Sequence, residues 1–317
     1  MCIIESSFTG RQHMGFLYFL EKLRIPVVNE IMLGITYLGD EIAFLVVALI
    51  LIWCVDKKTG YYVLSIGFLG TIANQFMKLW FRIPRPWVLD GNFTILEQAR
   101  EGASGYSFPS GHTQSSVGTF GAIAYTTKRR LVRVCCLLVV ILVPFSRMYL
   151  GVHTPLDVSV AAIMAAVLIF ALKPIILDTG RSSVFSAFLG IMVAVSIAFL
   201  CFVELYPFPE DIDPHNMNSG LKNAYTLLGS ILGMVTVYIV DQKWLQFPTK
   251  AIWWAQIMKV VAGLGIVLAV KSGLKAPLEA VFGVLTGRAV RYYVIVIVAG
   301  VIWPITFRWF AKLGNRE

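Results

Sequence analysis

The sequence predicts an all-α, polytopic integral membrane protein, a helical bundle of about nine spans. Composition is the first observation: 57% of the 317 residues are hydrophobic and 14% are charged, whereas soluble domains carry roughly 25% charged residues. The second is that the apolar residues fall in runs near the about 17–25 residues that a spanning helix needs. Because backbone polar groups in hydrocarbon need internal partners, we expect these runs to be helices.

Nine runs have this character, with ends defined to within several residues. They are 40–55, 60–82, 112–127, 132–150, 155–173, 184–205, 220–240, 252–271 and 289–311. The first and third are short, so we expect them to extend or to be partly buried in protein. Residues 14–38 fit either a helix in the membrane interface or an ordinary packing helix. The segment before them lacks a basic stretch followed by an apolar core, so we expect no cleaved signal peptide.

Positive charges give the expected orientation. Lys and Arg residues beside the spans explain the net charge of +9 through contacts with anionic membrane lipids. The basic run "KRRLVR" is a short loop between two spans, so we expect no nucleic acid partner. The charge bias favours placing this loop in the cytoplasm. The polar stretches described next then lie on the extracytoplasmic face, which is periplasmic, extracellular or luminal.

The first polar stretch, "KLWFRIPRP", places two cations at the end of a span. Lys78 and Arg85 are seven residues apart, close to two helical turns, and so share one face. The prolines that flank Arg85 should end the span near Arg82. Both cations then point to one place at the membrane surface. The alternative is that they are ordinary cations that extend from a span end to the interface.

The second stretch, "PSGH", has the pattern of a helix start. Ser110 is the expected N-cap, and the free N–H groups after it form an anion site. Gly111 lets an anion approach the backbone closely. His112, in the first turn, is placed to give or take a proton. The alternative is a plain N-cap beside a bystander histidine.

The third stretch, "SRMYLGVHTPLD", ends one span and starts the next. Arg147 lies in the last turn of the first span, and Gly151 is the expected C-terminal stop. Thr154 is the expected N-cap of the following helix. Asp157 lies four residues after His153 and is placed to accept its ring N–H, as in a nucleophilic triad. The alternative for Asp157 is a capping carboxylate.

Together the three stretches bring three cations, a helix N-terminus, two histidines and one carboxylate to the same membrane face. This set suits a phosphate group: cations and N–H groups bind the anion, one histidine attacks phosphorus and the other protonates the leaving oxygen. Metal phosphoryl-transfer sites need several oxygen ligands. With one carboxylate, the motifs predict no metal and no cofactor.

The three motifs, K-x6-R-P, P-S-G-H and S-R-x5-H-x3-D, resemble those of the type 2 phosphatidic acid phosphatase (PAP2) superfamily. The resemblance implies a six-helix core over about 30–175, with extra transmembrane helices over about 184–311, in a single domain of residues 1–317. It implies metal-independent dephosphorylation through a phosphohistidine, with His153 as nucleophile, Asp157 as its partner and His112 as acid. The residues implied to hold the phosphoryl oxygens are Lys78, Arg85, Ser110, Gly111 and Arg147.

The substrate class is the least determined part of this interpretation. A site that opens at the lipid surface favours a phosphorylated lipid or isoprenoid: phosphatidate, a sphingoid-base phosphate or an isoprenyl diphosphate. The alternatives are a phosphatase of a soluble sugar phosphate, similar to glucose-6-phosphatase, a lipid phosphotransferase, and a non-catalytic protein that binds lipid phosphates. The sequence does not predict an oligomeric state.

Overall fold

A computed structural model of the protein describes residues 11–100, 102–103, 105–210 and 212–313. Every regular element in these ranges is helical, and the all-α prediction is confirmed. Residues 1–10, on which the expectation about a signal peptide mainly rests, lie outside the described residues.

The α-helices of the described chain are numbered in chain order. They are α1 (Arg11–Lys22), α2 (Pro26–Thr36), α3 (Glu41–Ile50), α4 (Lys57–Phe81), α5 (Pro86–Leu89), α6 (Gly111–Ser116), α7 (Ala122–Thr126), α8 (Arg130–Tyr149), α9 (Pro155–Lys173), α10 (Ser182–Leu205), α11 (Pro214–Val240), α12 (Trp253–Gly273), α13 (Lys275–Phe282), α14 (Val284–Ile297) and α15 (Phe307–Lys312).

Five-residue π-helical segments extend or join several of these helices, a feature that often marks functional sites. They are Leu51–Val55, Val117–Gly121, Pro174–Asp178, Asp241–Leu245 and Val298–Ile302. One of them connects α6 to α7, so that 111–126 is one continuous helix. Short 3₁₀ turns follow α2, precede α15 and interrupt the loop after α5.

The protein is an integral multi-pass membrane protein. Within the described residues, six helical segments are long and apolar enough to cross a membrane, and a bent pair, Pro26–Gly39 with Glu41–Val55, makes up to seven. The six are Arg130–Tyr149, Pro155–Asp178, Ser182–Leu205, Pro214–Leu245, Trp253–Gly273 and Val284–Lys312. The predicted count of nine is not confirmed. The two predicted spans outside these segments are α4, which carries Lys78 of the first motif, and 111–126, which carries Gly111 and His112 of the second.

The chain folds into two compact units, so the expectation of a single domain stays a prediction. The first unit comprises residues 11–44 and 73–169 of the described chain and contains all three motifs. Its N-terminal helix α1 fits both alternatives raised by the sequence: Leu17 and Leu20 are buried, whereas Phe16 and Phe19 are exposed. A core around Leu33, Tyr149, Leu150 and Val152 packs α2 against the end of α8.

The second unit comprises residues 45–72 and 170–313. Its core surrounds Trp53 and Phe307, whose rings meet edge to face at 6.1 Å. The buried Lys259 belongs to this core, and its Nζ donates to the carbonyl oxygens of Trp53 and Thr249, each at 3.0 Å. The sequence alone does not give a partner for Lys259; the partners are these two carbonyl groups.

Candidate active site

The first motif lies where α4 ends. The helix stops at Phe81, and Arg82 takes a left-handed conformation with φ of 50°, which redirects the chain. The span therefore ends where the prolines predict. Lys78, in the last turn, donates from Nζ to the carbonyl oxygen of Tyr106. Arg85 donates from Nε to the carbonyl oxygen of Gly105 at 3.0 Å, and its side chain is buried.

The second motif forms the N-terminus of α6, and the predicted cap is present. The Oγ of Ser110 accepts from the N–H of Thr113 at 3.4 Å. The side-chain amide of Asn74 donates to the carbonyl oxygen of Pro109 at 3.2 Å, which ties this turn to α4. A Cβ placed on Gly111 would have Asn74 Oδ1 as its neighbour within 4 Å, at 3.8 Å. The backbone of Gly111 is therefore open to the close approach of an anion.

The third motif connects α8 to α9. Gly151 has φ of +82° and ends the helix, as predicted. Thr154 and Asp157 cap the next helix reciprocally: Thr154 Oγ1 accepts from the N–H of Asp157 at 3.3 Å, and Asp157 Oδ2 accepts from the N–H of Thr154 at 2.7 Å. The carbonyl oxygen of Asp157 also accepts from the N–H of Ser110 at 3.1 Å. This backbone bond joins the second and third motifs.

His153 lies between a cation and a carboxylate. Arg85 Nη1 is 2.9 Å from Nε2 of His153. A guanidinium only donates, so Nε2 accepts and the ring proton sits on Nδ1. Nδ1 lies 3.4 Å from Oδ2 of Asp157. The same Oδ2 accepts from Ser107 Oγ at 2.6 Å, so Asp157 combines the two alternatives, triad partner and capping carboxylate.

Charge and burial keep His153 neutral. Burial lowers the pKa of His153 well below its ordinary value, and the positive charges of Arg85, Arg147 and Lys78 act in the same direction. Burial also lowers the pKa of Arg85 to about 10, so this side chain remains a cation at neutral pH. The result is an unprotonated ring nitrogen surrounded by positive charge, as a nucleophile that attacks an anion requires.

Arg147 and His112 line the neighbouring part of the site. Arg147 Nη1 donates to Thr36 Oγ1 at 2.8 Å, while its Nε is buried without a hydrogen-bond partner in the described part of the chain. His112 Nε2 lies 2.7 Å from Oδ1 of Asp40. Beside them is a cavity of about 120 Å³ lined by Leu33, Thr36, Tyr37, Asp40, Gln98, Ala99, Gly102, His112 and Arg147.

The structure thus brings the predicted site residues to one region, and it adds residues that sequence reasoning missed. Thr36 ends α2 and Asp40 follows the turn after it, and Asn74 and Ser107 hold the motif loops. None of the four belongs to a recognisable spacing. Asp40 offered one signal, a carboxylate at the start of a predicted span, where a charged residue is costly.

The donor chemistry of the region suits an anion. In the described residues no three His, Cys, Asp or Glu side chains are grouped as metal ligands would be. The region instead collects guanidinium and ammonium groups, a free Arg147 Nε–H and a helix N-terminus. These groups bind phosphate oxygens. The roles of the individual residues in catalysis stay predictions.

Comparisons with known proteins point in the same direction. The family model described as "PAP2 superfamily" matches residues 58–181, a range that contains all three motifs. A second model, "PAP2 superfamily phosphatase, transmembrane extension", matches residues 225–316. The last part of the chain, from residue 225 onward, therefore corresponds to an extension that accompanies this kind of phosphatase.

Several curated proteins are similar to about half of the chain. Phosphatidylglycerophosphatase B of Bacillus subtilis is 30% identical over 48% of this chain and 76% of its own length. Undecaprenyl-diphosphatase of Sulfolobus acidocaldarius is 29% identical over 47% of this chain and 73% of its own length. A probable sphingosine-1-phosphate phosphatase of Dictyostelium discoideum is 30% identical over 42% of this chain and 35% of its own length. No solved structure matches the chain significantly.

Proposed function

The chain belongs to the PAP2 superfamily and is a phosphatase of that type, and we propose that it removes phosphate from a lipid phosphate monoester or diphosphate without a metal, through a phosphohistidine on His153. One observation carries the proposal. The neutral His153 presents Nε2, the nitrogen without a proton, to the guanidinium of Arg85, 2.9 Å away. A phosphate bound to that guanidinium is adjacent to the attacking nitrogen.

Substrate binding neutralises the cluster of cations. In the proposed complex Lys78, Arg85 and Arg147 bind phosphoryl oxygens, together with the Ser110 hydroxyl and the N–H groups at Gly111. The buried Nε–H of Arg147, which has no acceptor in the described residues, gains one. Charge-assisted hydrogen bonds of this kind are roughly twice as strong as neutral ones. They strengthen further as charge builds on the oxygens in the transition state.

Phosphoryl transfer then proceeds in two steps. In the first, Nε2 of His153 forms a bond to phosphorus, the bond to the ester oxygen breaks, and His112 gives a proton to that leaving oxygen. The positive charge that develops on the ring of His153 is stabilised by Asp157. In the second step water attacks phosphorus, His112 takes a proton from it, and the P–N bond breaks to restore neutral His153.

Two features support a lipid substrate rather than a soluble sugar phosphate. The relatives named above carry names that specify lipid or isoprenoid phosphates. In addition, the cavity beside His112 and Arg147 has apolar walls, Leu33 and Tyr37, contributed by α2 and the turn after it. Tyr37 and the nearby side chains of Val27 and Ile31 are more than half exposed, as side chains that face lipid are.

We also propose that the site faces the extracytoplasmic side. The support is the charge bias: the loop at the other end of 111–126 carries Lys128, Arg129 and Arg130. In a cysteine-free variant, Asn92→Cys is expected to react with an impermeant maleimide on intact cells. Lys128→Cys is expected to react only after the membrane is permeabilised. The opposite pattern would place the site in the cytoplasm.

The test of activity is phosphate release by the purified full-length protein in detergent, with EDTA present. The substrates are phosphatidic acid, sphingosine 1-phosphate, an isoprenyl diphosphate and glucose 6-phosphate. We expect release from at least one of the three lipids, unaffected by EDTA, and none from the His153→Ala variant. A radiolabelled substrate should leave an acid-labile, base-stable label on the wild-type protein.

His215→Ala is the matched control, because His215 is an exposed histidine in the second unit and is expected to be without effect. Release that requires a metal, or that persists without His153, would contradict the mechanism. Hydrolysis of glucose 6-phosphate alone would favour the soluble-substrate alternative. Loss of the lipid phosphate without free phosphate would indicate transfer to an acceptor other than water.

A further inference from the structure

His112 has an acidic partner that lies outside the three motifs. Its Nε2 is 2.7 Å from Oδ1 of Asp40, and both side chains belong to the first compact unit. The His112 side chain is 17% exposed and that of Asp40 is 35% exposed, so the pair lies at the wall of the site rather than on the outer surface. Both residues line the cavity of about 120 Å³.

The backbone around Asp40 holds this contact in place. Asp40 follows the 3₁₀ turn Tyr37–Gly39, at the point where the chain bends by 55° between α2 and α3. Gly39 packs directly against the start of α6: a Cβ there would come within 2.9 Å of the carbonyl oxygen of His112. The turn is therefore fitted to the helix that carries His112, and the carboxylate position follows from that fit.

The charges around His112 explain what a carboxylate would do there. Arg147 from α8, Arg85 from the loop after α4, and the His153 ring approach from other elements. Burial of the His112 ring opposes a proton on it, and each of these groups, when charged, acts in the same direction. Tyr37 also lines the cavity. Asp40 is the acidic group that favours the imidazolium form.

We propose that Asp40 is a positioning residue that fixes the ring of His112 and retains the proton that this ring gives to the leaving oxygen. The inference rests on the proposed function of the site. In the first step the proton moves from His112 to the ester oxygen as the P–O bond breaks, and in the second step the ring regains a proton from water. Asp40 keeps its contact with Nε2 in both steps and stabilises the protonated ring.

Leaving-group dependence separates this role from a purely structural one. An alkyl phosphate such as a short-chain phosphatidic acid needs a proton on its leaving oxygen, whereas p-nitrophenolate leaves without one. For Asp40→Asn we expect kcat/KM to fall about 30- to 100-fold with the lipid, which is part of the about 10²- to 10⁴-fold that a general acid contributes, and less than about 3-fold with p-nitrophenyl phosphate. Asp40→Glu should restore part of the lipid activity. Equal losses with both substrates would overturn the proposal.

A second measurement does not depend on activity. The chain has four histidines, so the ring signals of ¹³C-histidine-labelled protein in detergent are few, and His112→Gln identifies the His112 signal. In Asp40→Asn the midpoint of the His112 titration should move to lower pH by about one unit or more. An unchanged midpoint would refute the role of Asp40.

The two measurements distinguish the inference from the function on which it rests. If the wild-type protein releases phosphate from neither substrate, the proposed function fails, and the titration of His112 still decides whether Asp40 acts on it. Asp56→Asn is the matched control. Asp56 caps α4, where its Oδ2 accepts from the N–H of Thr59 at 2.8 Å, and it lies in the second unit. That variant should leave both the His112 titration and the ratio of the two activities unchanged.

Discussion

Replacing Asp157 by Asn tests the reasoning about the nucleophile most directly. The change keeps the shape of the side chain and removes its charge. Because Oδ2 accepts from the Thr154 N–H and the Ser107 hydroxyl, the amide oxygen of the variant is expected to take its place, 3.4 Å from Nδ1 of His153. The tautomer is then kept, and what is lost is the negative charge that stabilises the His153 ring as Nε2 attacks phosphorus.

The expected size of the effect follows from the distance. A full charge 3.4 Å from the carboxylate gains about 5 kcal/mol at an effective dielectric constant of about 20, and both side chains are buried, so solvent screening is weak. Part of this is recovered by the amide dipole and by relaxation. At about 1.4 kcal/mol per tenfold change in rate, we expect kcat to fall about 10³-fold.

The assay is steady-state phosphate release from a short-chain lipid phosphate, with thermal unfolding of the same preparations. Asp213→Asn is the control: Asp213 caps α11 in the second unit and accepts from the N–H of His215 at 2.8 Å, so the same change is made at a capping carboxylate away from the site. Asn caps a helix about as well as Asp, so both variants should keep their stability to within about 1 kcal/mol. If Asp157→Asn keeps more than a tenth of the wild-type kcat, or if Asp213→Asn loses as much activity, the reasoning fails.

Three further outcomes are expected. Because burial lowers the pKa of His153, the acidic limb of the kcat/KM profile should lie below the ordinary histidine value of about 6.5. The unfolded chain binds this proton at a higher pH than the folded protein does, so protonation of His153 lowers the stability of the fold only below about pH 6.5. An acidic limb above pH 7 would contradict the assignment. Gly39→Ala places a Cβ 2.9 Å from both the His112 carbonyl oxygen and Val143 Cγ1 and should lower activity about tenfold or more. Gly34→Ala is the control: its added Cβ has no neighbouring atom within 4 Å, so activity should be unchanged. Asp241→Ala removes the carboxylate 2.7 Å from the Lys57 ammonium and should lower the unfolding free energy by about 3 kcal/mol. The double variant Asp241→Ala/Lys57→Ala should lose less than the sum of the two single variants. Thermal melting of the two single variants and the double variant measures these losses.

The parts of the site that were predictable from the sequence are those determined by local rules. Ser110, Gly151 and Thr154 are helix caps and stops, and their positions follow from the chain itself within a few residues. Cations near span ends and a histidine in the first turn of a helix are also visible as exceptions in an apolar sequence. These local features placed the three motifs at one membrane face.

The parts that escaped prediction depend on tertiary packing. Asp40 reaches His112 across more than seventy residues of chain, through a bend between α2 and α3 that no motif marks. The Ser107 hydroxyl donates to Oδ2 of Asp157, whereas the sequence spacing predicted His153 and the helix cap as the partners of this carboxylate. The span count was uncertain for a related reason. The helices that carry residues of the first two motifs, α4 and 111–126, are not among the segments long and apolar enough to count as spans.

The contact between Arg85 and His153 has a consequence for the chemical durability of the protein. In the free protein the lone pair of the nucleophilic nitrogen is already engaged by a guanidinium, and the ring is 1% exposed. A transition-metal ion or an alkylating reagent that seeks imidazole must first break that hydrogen bond and then enter a positively charged region. A phosphate would offer Arg85 a better acceptor and so replace that hydrogen bond. We therefore expect the site to resist ordinary histidine reagents, and diethyl pyrocarbonate should modify the exposed His215 well before His153.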